Sequence, residues 1–80
     1  MYMTVNDFTS KAWYVAEIAI IEEKAHQDAI RKGGDLIDNI IEKSLWSGYN
    51  RELQSDTLRN VKNKYVKSFG AVDDYVVIIV

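Results

Sequence analysis

The sequence predicts a mainly α fold: a small three-helix domain with one long central helix and an extended apolar C-terminal strand. Three observations predict it. Ala12–Ile21 is a ten-residue run with a single polar side chain, Glu17, and it continues without a break into EEKAHQDAIRK. Two further stretches repeat apolar residues at three-to-four spacing, each ended by glycine. The last six residues, YVVIIV, include five that are β-branched.

The first helix is expected to start at Thr4, with Asp7 three residues on in a loose capping-box arrangement, or at Ser10. It should end at Gly33-Gly34, with Arg31 and Lys32 at the negative end of its dipole. Starting from Val5, it would be about 40 Å long. Tyr14, Ile18, Ile21, Ala25 and Ala29 form one face, while Trp13, Val15, Ala16, Ala19 and Ile20 lie on others. An apolar helix of this kind is buried all round. Two short helices hardly enclose it, so a second copy or another protein is expected to cover the rest. The competing reading of Ala12–Ile21 is a strand, favoured by Val, three Ile, Trp and Tyr. Three alanines and the unbroken polar continuation tip the choice to helix.

Asp35 caps the second expected helix, Leu36 to Trp46, whose stripe is Leu36, Ile37, Ile40, Ile41 and Leu45. Ser47-Gly48-Tyr49-Asn50 reads as the turn that ends it. The third helix begins at Ser55 or Asp56 and runs to Phe69, along Leu58, Val61, Tyr65 and Phe69, and Gly70 closes it. The C-terminal run is apolar on both faces and needs a strand beside it. Met1–Val5 or the same strand of a second chain is the expected partner. No repeat, linker or low-complexity segment divides the chain, so residues 1–80 are expected to form one domain.

Size sharpens the case for a partner. A chain of 80 residues buries only about 60–65% of its unfolded surface, and with no cysteine it has no disulfide or thiolate metal site to reinforce it. Small chains without such staples often share a core. A homo-oligomer, most simply a dimer, is therefore expected. Trp13, Val15, Ala16 and Ile20 should lie at its interface, with Tyr75, Val77 and Ile79 of the C-terminal strand. The opening MYMTVNDF lacks a basic signal-peptide start, and the apolar run is too short to span a bilayer. A cytoplasmic protein with no membrane contact is expected.

No constellation of residues announces chemistry. Glu23-Lys-Ala-His26 matches the Glu-x-x-His spacing of di-metal bundles, but such sites need further carboxylates from facing helices, so it reads as a solvated helix face. Asp35, Asp38 and Glu42 lack a calcium-loop pattern, and Gly33-Gly34 lacks the Lys-Ser/Thr of a phosphate loop. No cofactor, metal or catalytic residue is expected. Net charge is −2, far from the acidity of a DNA mimic and weakly against nucleic-acid binding.

The expected function is that of a non-enzymatic module that binds another protein, as an inhibitor or adaptor. Trp46 and Tyr49, beside Gly48, are its expected contact residues, because aromatics dominate binding hot spots. Compact motif-free chains of this kind include phage and mobile-element accessory proteins that block a host enzyme, and the analogy points the same way. The alternative is a helix-turn-helix-like DNA-binding regulator. Residues 50–69 hold five basic and two acidic groups, and Arg59, Lys62, Asn63, Lys64 and Lys67 of the third helix suit phosphates and base edges.

Overall fold

The computed structural model describes residues 3–10, 17–54 and 59–80. It shows a mixed α/β fold, not a helical bundle. A four-stranded sheet is covered on both faces by short helices. The elements are α1 (Val5–Thr9), β1 (Glu17–Ile21), α2 (Glu23–Lys32), α3 (Leu36–Lys43), β2 (Trp46–Tyr49), a 3-10 turn (Asn50–Gln54), α4 (Arg59–Lys62), β3 (Ser68–Val72) and β4 (Tyr75–Ile79).

The long central helix does not exist. Its described parts are α1, β1 and α2, joined around an extended Glu22 at φ −72°, ψ 148°. The reason lies in Ile18–Ile21, four residues that are all fully buried. A central strand hides alternate side chains on opposite faces and so satisfies them within one chain. The isoleucines also fit the pleated strand better than a helix, where β-branching restricts χ1. Around them the sheet runs β2-β1-β4-β3, with β1 parallel to β4 and antiparallel to β2.

Parity along the strands sorts the core into two layers. Ala19, Ile21 and Val77 face α2 and α3 and pack with Ala29, Ile37 and Ile40. Ile18, Ile20 and Ile78 face the other way and pack with Val5 of α1 and Leu53 of the 3-10 turn. Each of these large side chains contributes about 1.5–3 kcal/mol by leaving water.

Strand β4 is extended, and its centre is buried on both faces, Val77 at 2% and Ile78 at 0% exposure. Its neighbours are β1 and β3, not Met1–Val5 or a second chain. Met3–Val5 bonds elsewhere: Val66 N–H donates to Met3 O at 2.7 Å and Val5 N–H to Lys64 O at 2.8 Å. The capping box holds, with Asp7 N–H donating to Thr4 Oγ1 at 3.1 Å and Thr4 N–H to Asp7 Oδ2 at 3.2 Å.

The other two expected helices are shortened. α3 stops at Lys43, and Leu45 N–H donates to Ile20 O at 2.7 Å as the chain turns into β2. The expected turn at Ser47–Asn50 is therefore largely strand. Of the third helix only Arg59–Lys62 is helical among the described residues, while Ser55, Asp56 and Leu58 lie outside them. Phe69 and Gly70 belong to β3. Tyr65 and Phe69, read as the buried side of that helix, are 61% and 64% exposed. Pairing with β4 outweighs the three-to-four spacing, because the apolar β4 must satisfy its backbone on both sides.

The α2–α3 corner follows the expected signals. Gly33 and Gly34 take φ of 77° and 81°, a region that favours glycine. Asp35 accepts from the N–H groups of Ile37 and Asp38 at 3.1 and 3.3 Å. The buried Asn39 side chain donates from Nδ2 to Ala29 O at 3.2 Å and Gly33 O at 2.7 Å, tying α3 to the end of α2. On the surface Lys32 meets Glu42 at 3.0 Å, and this bond holds the Glu42 carboxyl below its usual range.

Candidate functional site

The sheet assembles a row of side chains at one end. Glu17 opens β1, Tyr75 opens β4 and Tyr49 closes β2. Their registers place Glu17 beside Tyr49 on one side and Tyr75 on the other. Hydrogen bonding to the Glu17 carboxylate, then desolvation, then the negative charge of Glu17 raise the Tyr75 hydroxyl above its ordinary pKa. Asp38, in the first turn of α3, adds a smaller effect of the same sign. Beyond Tyr49 the Arg51 guanidinium stands 5.1 Å from the ring centroid, within cation–π range. Three strands and the start of the 3-10 turn thus combine two phenols, a carboxylate and a guanidinium on one rim.

Trp46 is not part of this row. Residues 46 and 49 are three apart along a strand and therefore project to opposite faces. Trp46 packs against the cluster of Val5, Ile18, Ile20, Leu53 and Ile78. Its ring lies across Gly48, where an added Cβ would come within 3.1 Å of Trp46 Cζ2. Tyr49, at 39% exposure, faces outward. The structure separates the two expected contact residues and gives Tyr49 the neighbours Glu17, Tyr75 and Arg51 instead.

The residues expected between copies are also redistributed. Trp13, Val15 and Ala16 lie outside the described residues. Ile20 is fully buried under α1 and the 3-10 turn, and Val77 is buried under α2 and α3. Tyr75 and Ile79 are partly buried on that same α2–α3 face. The chain's own helices cover these positions, so a second copy is not needed to bury them.

No protein-family model matches this chain, no curated protein matches its sequence and no solved structure matches its fold. Its function must be read from its own residues.

The basic residues remain close along the chain and are spread over several described elements. Arg59 and Lys62 belong to the four-residue α4, Asn63 and Lys64 follow it, and Lys67 leads into β3. Lys67 N–H donates to Ile79 O at 2.8 Å, so this segment is part of the sheet's margin. Among the described residues no group of three or more His, Cys, Asp or Glu is placed to hold a metal ion, and His26 and Glu23 sit on α2. No helix among them is long and apolar enough to cross a membrane.

Sequence reasoning overlooked Glu17, Tyr75 and Arg51 as neighbours of Tyr49. One signal was present: Glu17 is the only polar residue of its run, at the point where the strand meets solvent.

Proposed function

We propose that the protein is a non-enzymatic module that acts by holding another protein, as an inhibitor or adaptor, through the rim formed by Tyr49, Glu17 and Tyr75. The observation that supports this reading is the convergence of two tyrosines from separate strands on one carboxylate, with Arg51 against the outer ring. Tyrosine offers a large rigid contact at small entropic cost, and aromatics with arginine dominate binding hot spots. The position also suits a docking site, since rigid strands hold all three side chains in place. A basic side chain of the partner fits between the rings beside Glu17, with the Asp38 charge nearby.

The test is affinity capture from cell lysate, with nuclease present, using the intact protein and Tyr49→Ala. The expected result is one stoichiometric protein on the intact bait, lost from the variant, whose circular dichroism and melting stay essentially unchanged. A partner retained by the variant, or recovery only of nuclease-sensitive material, overturns the reading. The second outcome would favour the basic group from Arg59 to Lys67.

A further inference from the structure

The two edges of the sheet are unlike. The β2 edge is short and partly closed, because Glu52 Oε1 accepts the Tyr49 N–H at 3.2 Å. Among the described residues the β3 edge is open. No strand among the described residues pairs with its outer side, and Ser68, Phe69, Gly70 and Ala71 are all exposed. An exposed apolar edge is a template for another strand.

The directions of the backbone groups follow from the bonds of β4. Val80 N–H donates to Ile21 O and Val80 O accepts from Glu23 N–H, so its groups face the β1 side. Groups alternate along a strand, so Ile79, Val77 and Tyr75 face β3. Their register partners Ser68, Gly70 and Val72 bond inward. The N–H and C=O groups of Phe69 and Ala71 therefore point out of the sheet.

We propose that β3 pairs antiparallel with β3 of a second copy, about a two-fold axis at Gly70, joining two sheets into one of eight strands. The pattern about Gly70 is self-complementary. Phe69 falls opposite Ala71 of the second copy, and the outward groups of these residues form four inter-chain hydrogen bonds. A large ring meets a small residue, so the 64% exposed Phe69, already tilted against Phe8 at 4.8 Å, gains cover without a clash. The two ends of the edge carry opposite charge, Lys67 just before β3 and Asp73 just after it, so antiparallel pairing brings the Lys67 end of each copy to the Asp73 end of the other, twice by symmetry. A foreign acidic strand would meet Asp73 and Asp74, and a basic one would meet Lys67. The second copy matches both ends.

Gly70 supplies the test. A Cβ there meets nothing within 4 Å in the single chain, so substitution leaves the fold undisturbed. In the dimer the two Gly70 residues face each other on the axis as a non-bonded pair, with Cα atoms about 4.5 Å apart. That distance suits a disulfide, and the protein has no cysteine of its own. The experiment measures the mass of the full chain in solution by light scattering over a range of concentrations. It also follows oxidative cross-linking of Gly70→Cys, with Ile30→Cys on exposed α2 as control. The expected results are a dimer for the intact chain, a monomer with unchanged circular dichroism for Gly70→Lys, and a covalent dimer from Gly70→Cys alone. Lys67→Glu, which turns two attractions into repulsions, should raise the dimer dissociation constant about tenfold. A monomer at every concentration, a Gly70→Lys variant that stays dimeric, or equal cross-linking of the two cysteines overturns the proposal. The outward groups of β3 lie on its free edge, whereas the variant residue Tyr49 of the rim lies on β2 at the other edge, so pairing and partner capture are tested by separate substitutions.

Discussion

Tyr75 is the residue whose chemistry the fold has altered most visibly. Bonding to Glu17, burial and the Glu17 charge all favour its protonated form, so its pKa is raised above the usual 10.0. A raised folded-state pKa means that the stability it brings is fully present below the unfolded value. It is lost as pH rises through the folded value. The contact should therefore weaken only in strongly alkaline solution, above pH 10.0, and be constant at neutral pH. Glu17→Gln removes the charge but keeps the shape. The titration midpoint of the Tyr75 ring, followed by NMR, should then fall towards the ordinary tyrosine value. An unchanged midpoint would mean that burial, not Glu17, sets it.

At the scale of elements, the α2–α3 corner is held by the packing of Ala29, Ile37 and Ile40 and by one buried polar side chain. Asn39 is buried, and its amide spans the end of α2 to reach Ala29 O and Gly33 O. Asn39→Leu keeps the size but leaves both carbonyls without that donor. It should cost about 1–3 kcal/mol in urea unfolding, whereas Ile30→Ala on exposed α2 should cost less than about 1 kcal/mol. Much of this corner was legible: Gly33-Gly34 marks the stop and Asp35 the next start. These are local signals, in which a residue and the backbone it acts on lie within a few positions. The strands were not legible in the same way. β1 belongs to a run of helix-compatible composition, and Glu17–Ile21 becomes a strand because β4 and β2 flank it. The same reason hid the site. Tyr49, Glu17 and Tyr75 are far apart in the chain, and only sheet register makes them neighbours. Trp46 and Tyr49, close in sequence, are parted by a strand's alternation.

For the whole molecule, the sheet is the wall shared by two apolar layers. Ile20 belongs to the layer under α1, and its neighbours Ala19 and Ile21 belong to the layer under α2 and α3. Neither layer exists without β1, so the domain should unfold as one unit. Ile20→Ala should destabilise it by about 2–5 kcal/mol. Signals from Trp46 on one side and from helix α2 on the other should shift together in denaturant. Two separate transitions would show that the layers melt independently. This arrangement also removes the original motive for a second copy: the Ile-rich run is enclosed by its own chain.

The parallel pairing of β1 with β4 has a consequence for how the protein is made. Glu17 meets Tyr75, with α2, α3, β2, the 3-10 turn, α4 and β3 between them in the chain. On the ribosome the isoleucines of β1 emerge early, yet their principal neighbour is synthesised last among the strands. Until then the centre of the sheet cannot close, and the nascent chain carries a naked β-branched segment. Long-range closure of this kind is slow and leaves such intermediates prone to stick to one another. The helical hairpin of α2 and α3, complete while synthesis continues, is the natural cover for that segment during the wait.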